Sequence, residues 1–212
     1  MSVSFRHIAI EGVIGAGKTT VARLLAEQLG GRLVLESFAD NPFLPRFYAA
    51  PERYAFPLEL SFLAERFQQL KSVISSPDLF RQPVVSDYIF QKSALFARIN
   101  LDPAEYNLFQ TMDRLIGAQL PNPDLLIYLN APLQQLRSNI EGRGRDYEQT
   151  IPDAYLLKLG ESYRQFLKEA PFPVLEIDMR TLDFLGAPES LKTLLKALNA
   201  FPWTGTHILE IV

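Results

Sequence analysis

The segment Gly12-Val13-Ile14-Gly15-Ala16-Gly17-Lys18-Thr19 carries the groups needed to hold a chain of phosphates, and it satisfies G-x-x-x-x-G-K-[ST] in full. Backbone N–H groups at Gly12, Gly15, Ala16 and Gly17 can curl around phosphate oxygens, and a helix opening at Thr20 turns its positive dipole end to the same spot. Lys18 can reach the β- and γ-phosphates, and the Thr19 hydroxyl can ligate Mg2+. Two acids follow at the ends of apolar runs. Glu36 can take a proton from an acceptor hydroxyl as it attacks the γ-phosphate, and Asp87 suits Mg2+, directly or through water. Arg143 and Arg145, separated by Gly144, can close as a cationic flap over the phosphoryl group in flight. Singly, a strand-end Asp is a common turn residue and an Arg at a helix end a common cap. Beside the phosphate loop, together they favour a kinase using a nucleoside triphosphate.

These groups need a frame to hold them. Apolar runs predict strands over Phe5–Ile10, Arg32–Glu36, Pro83–Asp87, Asp124–Asn130 and Pro173–Asp178. Between them, helical patterns predict Thr20–Leu29, Tyr54–Ile74, Pro103–Leu120, Leu133–Glu141, Asp153–Glu169 and Pro188–Asn199. Alternation of this kind predicts an α/β P-loop kinase fold, a five-stranded parallel sheet with helices on both faces. Ligands then sit beyond the carboxyl ends of the strands, which singles out Gly12, Glu36, Asp87 and Asn130. We expect one domain over residues 1–212, with a lid at about 142–150. The tail Phe201–Val212 is apolar enough to dock, with no assigned role.

Composition narrows the partners. The chain has 212 residues, 48% hydrophobic and 21% charged, with a net charge of -3, so nothing electrostatic points to nucleic acid as a ligand. It has no cysteine, which removes disulfides, thiolate catalysis and Cys-based metal sites and fits a cytoplasmic location. The first strand begins within a few residues of Met1, so no signal peptide is expected. No apolar run reaches the ~20 residues that span a bilayer, so no membrane partner is expected.

The ordered set of P-loop, E-x-x-x-D-N-P-F-L (Glu36–Leu44), Tyr54–Leu70, Ser86-Asp87-Tyr88, R-G-R (Arg143–Arg145) and Ile177-Asp178 with Leu182-Asp183-Phe184 resembles the deoxynucleoside kinases, in their bacterial deoxyguanosine and deoxyadenosine kinase branch. The resemblance runs from about Phe5 to Phe184. It implies Mg2+- and ATP-dependent phosphorylation of a deoxynucleoside 5′-hydroxyl for nucleotide salvage, by a homodimer built through helices such as Tyr54–Ile74 and Pro103–Leu120. It also implies roles. Glu36 is the general base, Tyr48 and Glu148 hold the sugar 3′-hydroxyl, and Arg66 stands in the base pocket. Arg143 and Arg145 are lid arginines, and Asp178 to Phe184, including Asp183, encloses the adenine of ATP.

The chain departs from the family pattern at three places. Tyr88 closes a Ser-Asp-Tyr where many relatives have Glu-Arg-Ser, so an arginine that supports the base and phosphates is missing. Asn139 replaces another arginine before the lid, and Arg137 compensates only if the helix face permits. The base-reading position, commonly glutamine, is Glu59. An ionised carboxylate only accepts hydrogen bonds, and guanine offers N1–H and the N2 amino group side by side, while Arg66 or Lys92 can donate to O6. Adenine puts a donor beside an acceptor, and facing it the carboxylate would lose on the order of 1–3 kcal/mol. The blander reading pairs Glu59 with Arg66 and leaves the base unread. Among Phe38, Phe43, Tyr48, Phe56, Phe62 and Phe90, one or two are expected to stack on the base. Deoxyguanosine is thus the expected acceptor. Deoxyadenosine or a broader acceptor range is the alternative, and a non-catalytic nucleotide-binding subunit the reading from another class.

Overall fold

A computed structural model describes residues 5–37, 41–74, 82–200 and 204–209. The sheet has six strands, all parallel, in the order β2-β3-β1-β4-β5-β6. They are β1 (His7–Gly12), β2 (Arg32–Val34), β3 (Val84–Ser86), β4 (Leu125–Asn130), β5 (Val174–Asp178) and β6 (Thr206–Ile208). The sixth strand is the correction to the expected five. Part of the apolar tail pairs with β5 at the sheet edge, yet its three residues stay exposed.

β1 lies in the middle, with β3 on one side and β4 on the other. The chain first winds one way and then the other, which opens a crevice at the carboxyl ends beside β1. Every β1 residue is buried, as are Leu125–Leu129 of β4, the pattern of a sheet covered on both faces. β1 runs past the expected Ile10 because Glu11 is satisfied inside the core. Its carboxylate accepts from Gly12 N at 3.2 Å, Ile89 N at 3.0 Å and the Tyr163 hydroxyl at 2.7 Å. A buried carboxylate without such partners would be costly.

The helices are α1 (Lys18–Leu29), α2 (Leu44–Ala49), α3 (Pro51–Ile74), α4 (Lys92–Asn100), α5 (Pro103–Gly117), α6 (Leu133–Arg143), α7 (Asp146–Gln149), α8 (Asp153–Lys168) and α9 (Pro188–Asn199). Of these, α2, α4 and α7 were not legible as periodic runs. Asp102 starts α5 with a capping box, accepting from Ala104 N and Glu105 N while Glu105 accepts from Asp102 N. Gly144 ends α6 in the left-handed conformation, so the chain turns sharply between the two arginines of the expected lid.

Candidate active site

The phosphate loop depends on glycine at two points. Gly15 has φ +88°, and a Cβ there would lie 2.6 Å from the Leu136 carbonyl oxygen. Gly17 caps α1 at φ +91°, a conformation that L side chains rarely adopt. Lys18 folds back over the loop and donates to the carbonyls of Gly12 at 2.8 Å and Val13 at 3.2 Å. Burial lowers its pKa to about 8, helped by the like charge of Lys92 and opposed by Glu11, Glu36 and Asp87. Arriving phosphates would supply the missing anionic partner.

Asp87, just past β3, joins the two sides of the crevice. Its Oδ2 accepts from the Thr19 hydroxyl at 2.6 Å and its Oδ1 from the Glu36 backbone N–H at 2.7 Å. A hydroxyl and a carboxylate oxygen in contact form a hard-oxygen pair suited to Mg2+, which takes few protein ligands when phosphates provide the rest. No larger acidic or histidine cluster occurs among the described residues.

Glu36 is held by two cations. Arg66 donates to Oε1 through Nε at 2.8 Å, with Nη2 at 2.7 Å, and Lys92 donates to Oε2 at 2.5 Å. Burial alone would raise the Glu36 pKa, but Lys92 and then Arg66 outweigh it and bring it to about 2. Lys92 and Arg66 thus give the carboxylate cationic support on a chain where the arginine of the family pattern is absent. The residue at that place, Tyr88, is fully buried in the core, and its hydroxyl donates to Gln69 Oε1 at 2.7 Å.

These contacts correct one expectation: in this structure Arg66 and Lys92 pair with Glu36, not with a group at the base-reading position. Arg66 reaches Glu36 and Ser93, with its guanidinium 4.8 Å from the Phe62 ring centroid. The Arg66–Glu59 ion pair of the blander reading does not form. Glu59 instead accepts from Asn100 Nδ2 at 2.7 Å through Oε1, and its buried Oε2 has no hydrogen-bond partner. Both carboxylates line one cavity, together with Tyr48, Phe62, Arg143, Arg145 and Glu148.

Two antiparallel helices set its length. On α3, Glu59 and Arg66 are seven residues apart; on α4, Lys92 and Asn100 are the first and last residues. At ~1.5 Å per residue, these spacings separate a Glu36–Arg66–Lys92 end from a Glu59–Asn100 end by about 10–12 Å.

The residues of the expected lid, Arg143, Arg145 and Glu148, line the same cavity. Glu148 is buried on α7, and both arginines reach it, Arg143 at 3.5 Å and Arg145 at 2.7 Å. Tyr147 stacks on Tyr48 of α2, with ring centroids 5.7 Å apart, so α7 and α2 are in contact. Asn139 donates to the Gly15 carbonyl at 2.7 Å, tying α6 to the phosphate loop. Arg137 does not compensate there. It points the other way, to Asp153 and the Ile151 carbonyl.

A second cleft, of about 590 Å3, opens between the phosphate loop, α6 and the segment 179–185. Gly15, Ala16, Gly17, Thr20, Asp183 and Phe184 line it. Asp183 orders its own turn, accepting from Leu185 N and Gly186 N. Of the other expected nucleotide-binding residues, Lys18 and Thr19 line the first cavity and Gly12 lines neither, while the Asp178 carboxylate forms an ion pair with Arg180 and does not line the cleft. Asn130 donates to Glu176 and lines neither cleft. Among the aromatics, Tyr48 and Phe62 line the first cavity, and so do Phe47 and Phe96, which sequence reasoning missed. Phe56 and Phe90 pack in a separate apolar cluster, and Phe43 packs against the cluster that holds Phe47 and Phe62; none of the three lines the cavity. Phe38 and Asp40 lie outside the described residues.

A phosphate loop at the head of a parallel sheet, an acid pair beyond the neighbouring strands and an arginine flap define a P-loop kinase. The sequence profile described as deoxynucleoside kinase matches residues 8–201. The deoxyguanosine kinase of Bacillus subtilis is 36% identical over 176 residues, covering 83% of this chain and 85% of that protein. The deoxyadenosine/deoxycytidine kinase of the same organism is 30% identical over 196 residues, covering 89% of each. Among solved structures, the deoxyadenosine kinase of M. mycoides with dCMP and a flexible dCDP bound superposes with a TM-score of 0.79 at 26% identity, covering 92% of this chain and 100% of that one. The chain belongs to the deoxynucleoside kinase family and is a phosphotransferase.

Proposed function

We propose that this kinase transfers the γ-phosphoryl group of ATP to the 5′-hydroxyl of a purine deoxynucleoside, with deoxyguanosine preferred. The observation that carries the reading is the cavity with a carboxylate at each end. Glu36 stands beside Lys18, Thr19 and Asp87, where phosphoryl transfer belongs, and Glu59 offers an unpartnered buried oxygen at the far end. A guanine edge with two adjacent donors satisfies that oxygen. The similarity to deoxyguanosine kinases supports the choice.

Most of the work falls on positioning and charge. Mg2+ held by Thr19 and Asp87 would neutralise β- and γ-phosphate oxygens. Glu36, ionised at neutral pH, is ready to receive the hydroxyl proton, which moves late, as the oxygen bonds to phosphorus and becomes acidic. Tyr48 and Glu148 hold the sugar. Arg143 and Arg145 leave Glu148 for the transferring phosphoryl group as the lid closes. Homodimer formation is part of the same reading. Leu108 and Leu115, one face of α5, are 54% and 70% exposed and would be covered by a second copy.

The test is phosphoryl transfer from ATP and Mg2+ to each of the four deoxynucleosides and to dGMP, compared by kcat/KM. Deoxyguanosine should lead. A lead for deoxyadenosine would keep the mechanism and remove the carboxylate reading. Bound ATP with no turnover on any acceptor would point to a non-catalytic subunit.

A further inference from the structure

Glu59 and Asn100 together contain more than a fixed guanine reader. Asn100 is the last residue of α4, and its Nδ2 donates to Glu59 Oε1 at 2.7 Å. Glu59 is 1% exposed and lines the cavity, and its buried Oε2 has no hydrogen-bond partner. We infer that Asn100 is the positioning residue that sets which purine Glu59 takes: by donating to Oε1 it orients the carboxylate and favours its acceptor-only, guanine-taking form, whereas a protonated Glu59 takes adenine. The inference rests on Glu59 reading the base, as proposed above.

Each half follows from counting donors and acceptors. Ionised Glu59 accepts the Asn100 N–H at Oε1 and keeps a lone pair there, so Oε1 and Oε2 can still accept the two guanine donors. Protonated at Oε2, the group becomes a donor beside an acceptor, as in an amide. It then donates to adenine N1 and accepts from the N6 amino group. Against guanine, the same proton meets N–H and opposes binding.

The surroundings bring the choice into the neutral range. Burial raises the Glu59 pKa to about 7, while the Asn100 hydrogen bond and then Arg66 hold it back. The other groups acting on Glu59 are Glu36, beyond β2, which raises it further, and Lys92 on α4, which lowers it. Tyr48 of α2 and Tyr155 of α8 also face this carboxylate, and burial keeps both phenols neutral. Asn100 is therefore the hydrogen-bond donor that counters burial. Without it, a larger share of Glu59 is protonated at neutral pH.

The experiment measures kcat/KM for deoxyguanosine and deoxyadenosine between about pH 5.5 and 8.5, where neither purine edge titrates, in wild type, Asn100→Ala, Asn100→Ser and Glu59→Gln. The wild-type ratio of deoxyguanosine to deoxyadenosine should rise with pH. In Asn100→Ala it should fall about tenfold at pH 7, with the rise displaced to higher pH, and Asn100→Ser, which keeps a donor, should recover part of it. Glu59→Gln should favour adenine at every pH with a flat ratio. If Asn100→Ala does not fold, the contrast between a rising wild-type profile and a flat Glu59→Gln profile carries the test. A flat wild-type ratio, or a wild-type ratio and profile kept in folded Asn100→Ala, overturns the inference. If Glu59→Gln changes neither ratio nor profile, base reading by Glu59 falls as well, which tells the two failures apart.

Discussion

Replacing Glu36 by glutamine separates charge from shape at the centre of the site. Glutamine retains an acceptor oxygen for one of the two cations but removes the negative charge and the ability to take a proton. Arg66 and Lys92, with side chains 3% and 7% exposed, then face each other without an anion. Breaking a buried ion pair from one side costs about 3–5 kcal/mol of stability. Loss of a positioned base lowers kcat by about 10²–10⁴, or about 2.7–5.4 kcal/mol of transition-state stabilisation. ATP affinity should change far less, because the side chain of Glu36 bonds to neither the glycine loop nor Lys18. The assay pairs steady-state kcat with calorimetric ATP binding, at a temperature where urea unfolding shows the variant folded. A folded variant with kcat within tenfold of wild type would refute Glu36 as the base. Equal loss of ATP binding and turnover would instead make it a structural anchor.

Three further outcomes are expected. Arg145→Gln should lower kcat by about 10²–10³ with a smaller effect on nucleoside KM, because its charge is spent on the transition state; a KM-only effect would place Arg145 in sugar binding. Glu59 has a pKa raised from 4.5 to about 7, so its favourable contribution is complete below pH 4.5 and is lost as pH rises through about 7. Glu59→Gln should therefore gain about 3 kcal/mol on wild type between pH 4.5 and pH 8 in urea unfolding, and parallel pH curves would mean that Glu59 does not titrate there. Leu115→Glu should shift sedimentation from dimer to monomer, and a wild type already monomeric at micromolar concentration would remove the proposed α5 interface.

How much could be seen beforehand depended on the range of each interaction. The phosphate loop was legible because its geometry is written in consecutive residues, and the long helices because their apolar stripes repeat. β6 was not legible, since three exposed residues carry no burial pattern. The partners of Arg66 could not be read either. Spacing on α3 put it on the face of Glu59, but Glu36, thirty positions away in sequence, offered the carboxylate within reach. Glu11 and Asn100 were missed for the same reason. Each acts through a partner distant in the chain, Tyr163 for one and Glu59 for the other, and neither stands in a local motif that would betray it. Asn139 was noticed only as a lost arginine, whereas the structure shows its own use, a hydrogen bond to Gly15.

The double engagement of Asp87 has a thermodynamic consequence. One oxygen of this carboxylate takes the Thr19 hydroxyl and the other takes the backbone N–H of Glu36, so a single anion borders both the phosphate-donor and the hydroxyl-acceptor compartments. Whatever competes for one oxygen changes the electron density left for the other. Any strengthening or weakening of acceptor affinity that nucleotide binding transmits along this route is returned to the nucleotide by the same factor when the acceptor binds first.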